Sequence, residues 1–409
     1  MEVEMKTNDT RRRTMILAVV SAALIMSAAM GTRQTFGLFL GPFSYDRGVP
    51  VTLVAFAIAL HNLAWGLAQP FAGAAADRHG ALPVIGFGAL AYAGGLALSA
   101  LVASDAALVL GMGLLVGIGI SCTSFGVVMT AIGKMAPPET RSMAMGLASA
   151  GGSLGQVLLV PVVQSVTASG GMAWSLLVLA AVILAAAPLG FFLRRDEPVP
   201  PQSSAGPPLG AILAQAARHR GYRLLTVGFF ACGFQLAFIA THLPGYLSLC
   251  HMPVGLGAMA LALIGLFNMA GSWGCGWLGG RFAQGPVLGW LYLIRGAAIT
   301  TFVALPKSEI SVVIFAAIMG LTWLGTVPLT SGLVARIFGV QHLGALFGLC
   351  FLSHQIGSFL GAWLGGLVLD LTGSYSLIWA ATAASGLVAA LLHFPIGNTP
   401  AGLARPVQA

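Results

Sequence analysis

Twelve stretches of this chain are each long and apolar enough to cross a lipid bilayer, and that decides most of what it can fold into. They fall near residues 16–43, 51–75, 82–103, 106–132, 143–166, 173–193, 224–249, 255–279, 287–306, 310–334, 344–370 and 376–396. A helix needs roughly 20 apolar residues to span the hydrocarbon, where every backbone polar group must be satisfied internally. Period-two alternation is absent, which excludes a transmembrane β-barrel. Only 7% of residues are charged, against about 25% in soluble domains. The expected fold is therefore an all-α membrane protein of twelve transmembrane helices. The first segment follows Arg11-Arg12-Arg13, exceeds the length of a signal-peptide apolar region and lacks a cleavage site, so it reads as a retained span.

A net charge of +8 invites a nucleic-acid partner, but the distribution excludes one. With the N-terminus inside, fifteen of the nineteen cations fall in the N-terminal tail, the C-terminal tail or loops on that same side; Arg47 and Lys307 fall outside, and Arg33 and Arg295 lie within apolar segments. This is the positive-inside bias, and it predicts an inner-membrane protein with both termini cytoplasmic. The five cysteines are scattered among separate segments, with neither metal-ligand spacing nor a disulfide framework. No nucleotide loop, metal cluster or nucleophile triad is present, so neither an enzyme nor a cofactor is expected.

The one long hydrophilic stretch between segments divides the chain into an N-terminal six-helix bundle (1–193), a cytoplasmic linker (194–223) and a C-terminal six-helix bundle (224–409). The linker opens with prolines and serines, while Leu209 to Arg218 patterns as a short amphipathic helix. After segment two stands Gly73-Ala-Ala-Ala-Asp77-Arg78-His79-Gly80, and after segment eight Gly276-Trp277-Leu278-Gly279-Gly280-Arg281-Phe282, the same pattern with Gly280 in the aspartate's place.

This 6+6 arrangement with its loop element resembles the major facilitator superfamily over the whole chain. The resemblance implies gating by Gly73, Asp77, Arg78, Gly80 and Arg281, the aspartate pairing with arginine to lock the halves; a helix-capping turn is the plainer alternative. Further stretches resemble the monocarboxylate-porter and oxalate/formate-antiporter branch: Arg33-Gln34-Thr35-Phe36-Gly37, Ser149-Ala150-Gly151-Gly152-Ser153-Leu154-Gly155-Gln156, Phe234 to Pro244, and Gly265 to Ser272. That implies transport of small organic acids with protons or a counter-anion. One departure matters: the branch's segment-eight arginine is replaced by Ser272, and its segment-eleven lysine by the stretch Ser353-His354-Gln355.

Two arginines inside apolar segments, with no carboxylate inside any, are the strongest pointers to chemistry. A guanidinium in hydrocarbon is costly and persists only with a partner or in a wet cavity. At ~1.5 Å per residue, Arg33 lies near mid-depth, on a helix that lines the central cavity in the resembled family. Arg295 sits on segment nine, which is peripheral there. An unpaired cation predicts an anionic substrate that supplies the missing charge, while neighbouring carbonyls and Gln34 are the structural alternative. Arg33, Gln34, His242, Asn268, His354, Gln355 and Arg295 are the candidate substrate contacts. His242, His61 and His354 are the candidate proton carriers, histidine being the ordinary side chain that changes charge near neutral pH. His242 ranks first because Pro244 frees a backbone bond beside it. The expected function is secondary transport of a small organic anion, a monocarboxylate, by alternating access. Efflux of neutral or amphipathic compounds, and a non-transporting membrane sensor, are the alternatives.

Overall fold

The computed structural model describes residues 2–137, 141–193, 209–339 and 343–397; the side chains of residues 2–12, 77, 141, 142 and 209 lie outside that description, as does the linker stretch 194–208. Segment one comprises α1 (Glu2–Gln34), a 3₁₀ turn (Phe36–Phe39) and α2 (Leu40–Arg47). Segments two and three are α3 (Val51–His79) and α4 (Ala81–Leu101). Segment four runs through α5 (Asp105–Leu108), a π-helical turn (Val109–Leu115), α6 (Val116–Thr123) and α7 (Phe125–Met135). Segments five and six share α8 (Arg141–Ala186), broken at Gly171, where φ of 80° and ψ of 173° turn the chain without a loop. Only glycine takes that backbone without strain.

After the linker come α9 (Leu209–Arg218), α10 (Arg220–Leu249), α11 (Leu256–Arg281) and α12 (Gln284–Ala304). Segment ten is split into α13 (Glu309–Thr322) and α14 (Thr326–Phe338), and α15 (Leu343–Thr372) and α16 (Ser376–His393) complete the chain. Twelve membrane-spanning segments thus form two six-helix halves. The buried apolar side chains form one cluster within residues 18–193, another that joins Val160 to residues 212–396, and a small third of Ala59, Ala237 and Ala362 at the seam. The amphipathic α9 buries Ile212 and Ala216, one turn apart, in the second cluster.

Glycines set the helix contacts in each half. A Cβ on Gly155 would stand 2.0 Å from the Ser27 carbonyl oxygen and one on Gly151 2.2 Å from that of Ala23, so α8 lies directly on α1. In the second half Gly357 and Gly361 press on the Phe230 and Phe234 carbonyls at 2.1 Å, which seats α15 on α10 in the same way. Close backbone approach through small residues is how helices associate when lipid removes the hydrophobic drive.

The two halves meet tightly at the end away from the chain termini. Thr52 donates to Asp370 Oδ2 from both its backbone N–H (2.7 Å) and its hydroxyl (2.6 Å), tying α3 to α15. A Cβ on Gly37 would overlap the Ala240 carbonyl oxygen at 2.1 Å, so the 3₁₀ turn of segment one is wedged on α10. At the other end, Gly73, Gly80, Gly276 and Gly280 have open space around them. Gly80 ends α3 with φ of 83° and ψ of 165°, a left-handed φ that explains the glycine. In the second copy α11 ends one residue earlier in the pattern, at Phe282 in the place of His79, with an extended backbone, φ −118° and ψ 166°.

Candidate functional site

A small cavity of about 10 Å³, room for about one water, lies between the halves at mid-depth. Its wall is Arg33, Gln34, Phe36 and Gly37 from segment one, Ile58, His61 and Asn62 from α3, and Ala237, Ala240 and Thr241 from α10. Segment one loses its regular helix here, since α1 stops at Gln34 and a 3₁₀ turn follows. Irregular backbone at this depth is tolerated only inside protein or beside a water-filled space.

Arg33 occupies the last turn of α1, where the helix dipole favours a cation. One terminal nitrogen donates to Asn62 Oδ1 at 2.7 Å and the other to Gln34 Oε1 at 3.3 Å, while Nε has no partner among the described residues. Its guanidinium carbon stands 5.4 Å from the centre of the Trp65 ring. Each of these contacts is neutral, so the positive charge is held by dipoles and a ring face rather than by a counter-charge. Gln34 is held in turn, donating to Gln156 Oε1 at 2.8 Å, and Gln156 donates to the Leu261 carbonyl of the opposite half at 2.6 Å.

His61 stands beside Arg33 in the cavity wall. Its ring is 1% exposed and lies edge-on to Phe36 at 5.3 Å between centroids. Neither ring nitrogen has a hydrogen-bond partner among the described residues. A buried polar group without a partner carries a substantial desolvation cost, so this ring is poised to use any group that enters the cavity.

The other sequence candidates fall elsewhere. Arg295 is fully buried inside the second half, away from the cavity. It donates to the Thr322 and Trp323 carbonyls, to Gln235 Oε1 at 3.2 Å and to Cys232 Sγ at 3.5 Å. It therefore caps the end of α13 where segment ten breaks. His242 has both nitrogens engaged, Nδ1 with the Tyr375 hydroxyl at 3.1 Å and Nε2 with the Ala362 carbonyl at 2.7 Å, and faces α15 and α16. His354 packs between Phe229 and Phe351, with Nδ1 3.0 Å from Gln355 Oε1. Gln355 donates to the Asn62 carbonyl at 2.9 Å, across the seam between the halves. Asn268 donates to Ser153 Oγ at 2.8 Å and accepts from the Leu324 N–H at 2.9 Å.

Of the gating candidates, Arg78 and Arg281 are exposed, and Arg281 lies over the Trp277 ring at 4.1 Å. The side chain of Asp77 is outside the described set. In the second half, where the loop element lacks its acid, Arg336 donates to the Gly279 carbonyl at 2.8 Å and holds the end of α11. Among the described residues no cluster of three or more potential ligands could hold a metal.

The sequence candidates omitted Asn62, Phe36 and Thr241. Thr241 precedes His242, and Asn62 follows His61. Successive residues on a helix point about 100° apart, so Thr241 reaches the cavity while His242 faces α15; His61 and Asn62 both line it. The polarity of Asn62 and Thr241 was the available signal; their direction was not.

The sequence profile described as Major Facilitator Superfamily matches residues 19–323, well over half the chain. Monocarboxylate transporter 11 of Homo sapiens is 28% identical over 392 residues, covering 88% of this chain and 78% of that protein. The uncharacterized MFS-type transporter YcxA of Bacillus subtilis (strain 168) is 25% identical over 367 residues, covering 85% and 86%. The crystal structure of a D-xylose-proton symporter superposes with a TM-score of 0.72 over 94% of this chain and 98% of that one. At 14% identity that likeness speaks to the fold alone. Twelve spans in two halves, a polar cavity at the seam and this profile agree: the chain is a membrane transporter that belongs to the Major Facilitator Superfamily.

Proposed function

We propose that this protein carries a small organic anion, a monocarboxylate, across the inner membrane by alternating access, with Arg33 as the seat of the carboxylate. The observation that carries the reading is a guanidinium in the wall of the inter-half cavity whose described contacts are all neutral. A carboxylate offers the bidentate, charge-assisted partner that a guanidinium binds best. Phe36, Ile58, Ala237 and Ala240 supply an apolar wall for a short carbon chain. In the closed conformation the cavity admits about one water, so loading requires the halves to part. The similarity to monocarboxylate transporter 11 supports the same substrate class, and the cation-rich loops support cytoplasmic termini.

His61 is the proton carrier of this scheme. Arg33 gives the empty site one positive charge. A bound carboxylate cancels it, and a proton on His61 restores it. The empty and loaded carriers then cross the membrane with the same charge, and one-to-one symport of proton and anion is electroneutral.

Reconstituted in proteoliposomes, the protein should take up short monocarboxylates, and Arg33→Gln should abolish that uptake. Unchanged uptake by Arg33→Gln refutes the anion seat and favours a carrier of neutral compounds.

A further inference from the structure

The fourth helix of each half is broken, and in each half an amide from the second helix reaches the break. In the second half the break lies between α13 and α14. Asn268 of α11 accepts from the Leu324 N–H at 2.9 Å, and Arg295 holds the Thr322 and Trp323 carbonyls. The arginine of this pin is sealed within its own half, fully buried and absent from the cavity wall, while Asn268 also donates to Ser153 Oγ of α8 at 2.8 Å.

In the first half the break lies at Ser124, with φ of −123° and ψ of −155°, between α6 and α7. Gln69 of α3 reaches it, donating to the Ser121 carbonyl at 3.3 Å. Its amide nitrogen also fills the place of a side chain on Gly126, where a Cβ would stand 1.7 Å away. The other end of that amide leads back to the cavity: Gln69 Oε1 accepts from the Trp65 indole N–H at 2.7 Å, and the Trp65 ring faces the Arg33 guanidinium. Ser124 Oγ is buried without a partner among the described residues, so the break retains an unspent hydrogen-bonding group for a second arrangement.

We infer that Gln69 is a positioning residue that couples occupation of Arg33 to the bend of segment four through Trp65, while the corresponding break in segment ten is fixed. The inference rests on the reading of Arg33 as the anion seat. A carboxylate on Arg33 satisfies the charge that the indole face otherwise stabilises. Trp65 is then free to shift, and its N–H carries Gln69 with it. Gln69 touches the break on both sides, at Ser121 and Gly126, so its movement alters the angle between α6 and α7. Coupling of this kind needs a connected set of contacts and an element with two arrangements; the Trp65–Gln69 pair is the first and the Ser124 break the second. The asymmetry follows from the two arginines. One faces the cavity and feeds its break, and the other is sealed in.

The test uses the full chain with its five native cysteines replaced and Ser124→Cys as a reporter. Labelling by N-ethylmaleimide is followed with and without propionate, and propionate affinity is measured by thermal shift. Propionate should change the labelling rate by about fivefold or more in this parent. Gln69→Leu and Trp65→Phe should abolish that change, and Gln69→Leu should keep propionate affinity within about twofold. In uptake assays Gln69→Leu should lower kcat while leaving KM nearly unchanged. Gly126→Ala offers a second route, since its methyl displaces the Gln69 amide, and it should also abolish the response. A folded Gln69→Leu or Gly126→Ala protein whose labelling still responds fully refutes the relay alone. Propionate binding that survives Arg33→Gln refutes the anion seat and the relay together, while a parent that binds propionate with no change in labelling refutes the relay alone.

Discussion

Arg295→Lys separates the two membrane arginines by consequence. The guanidinium serves three oxygens in three directions: the Thr322 and Trp323 carbonyls at the end of α13 and Gln235 Oε1 on α10. Lysine keeps the charge but offers a compact ammonium in place of a planar fork, so at least one of these oxygens loses its partner. A buried acceptor left unpaired costs about 1–3 kcal/mol. Because the charge stays buried, no desolvation energy returns to offset this, as it would with an apolar replacement. Hydrogen bonds between membrane helices average nearer 0.6 kcal/mol in measured cycles, and that sets the floor. Arg295→Lys should therefore destabilise the protein by about 0.6–3 kcal/mol, read by reversible SDS unfolding in mixed micelles. Propionate affinity of the folded fraction should stay at the parent value. An unfolding free energy equal to the parent's, or a loss of propionate affinity without loss of stability, would refute the assignment of Arg295 to the segment-ten break.

Gly155→Ala places a methyl 2.0 Å from the Ser27 carbonyl oxygen; backbone cannot yield as a side chain does, so a loss of about 1–3 kcal/mol is expected, whereas Gly146→Ala, in open space, should cost little in the same unfolding assay. His61→Gln should retain propionate exchange but lose acid-stimulated net uptake, and residual uptake should become sensitive to membrane potential; uptake at two pH values with clamped potential measures both. Acid stimulation that persists in His61→Gln moves the proton to another group.

Much of the fold can be read from the sequence because the membrane leaves few options. Apolar length marks the spans, and the Leu209 to Arg218 pattern matches α9 residue for residue. The site is less legible for physical reasons. Arg33 and Arg295 share the same sequence signature, a cation in an apolar run, and differ only in what surrounds them. The carbonyls that satisfy Arg295 are released by the break in segment ten; Pro328, in the first turn of α14, signals a kink there, but nothing in the sequence says that a cation on segment nine reaches it. Likewise Pro244 draws attention to His242, but Tyr375 and Ala362, more than a hundred residues away, occupy both of its nitrogens. Contacts between distant helices decide which polar side chain is spent and which is free.

The small size of the central cavity also bears on the membrane as a whole. Protons move readily along a file of linked waters, and a space that holds about one water cannot form such a file. Beyond it, Gly37 on Ala240 and Thr52 on Asp370 close the way out. In this conformation the centre of the protein thus offers protons no continuous water path. A membrane can then hold many copies in this conformation without a proton leak through their centres.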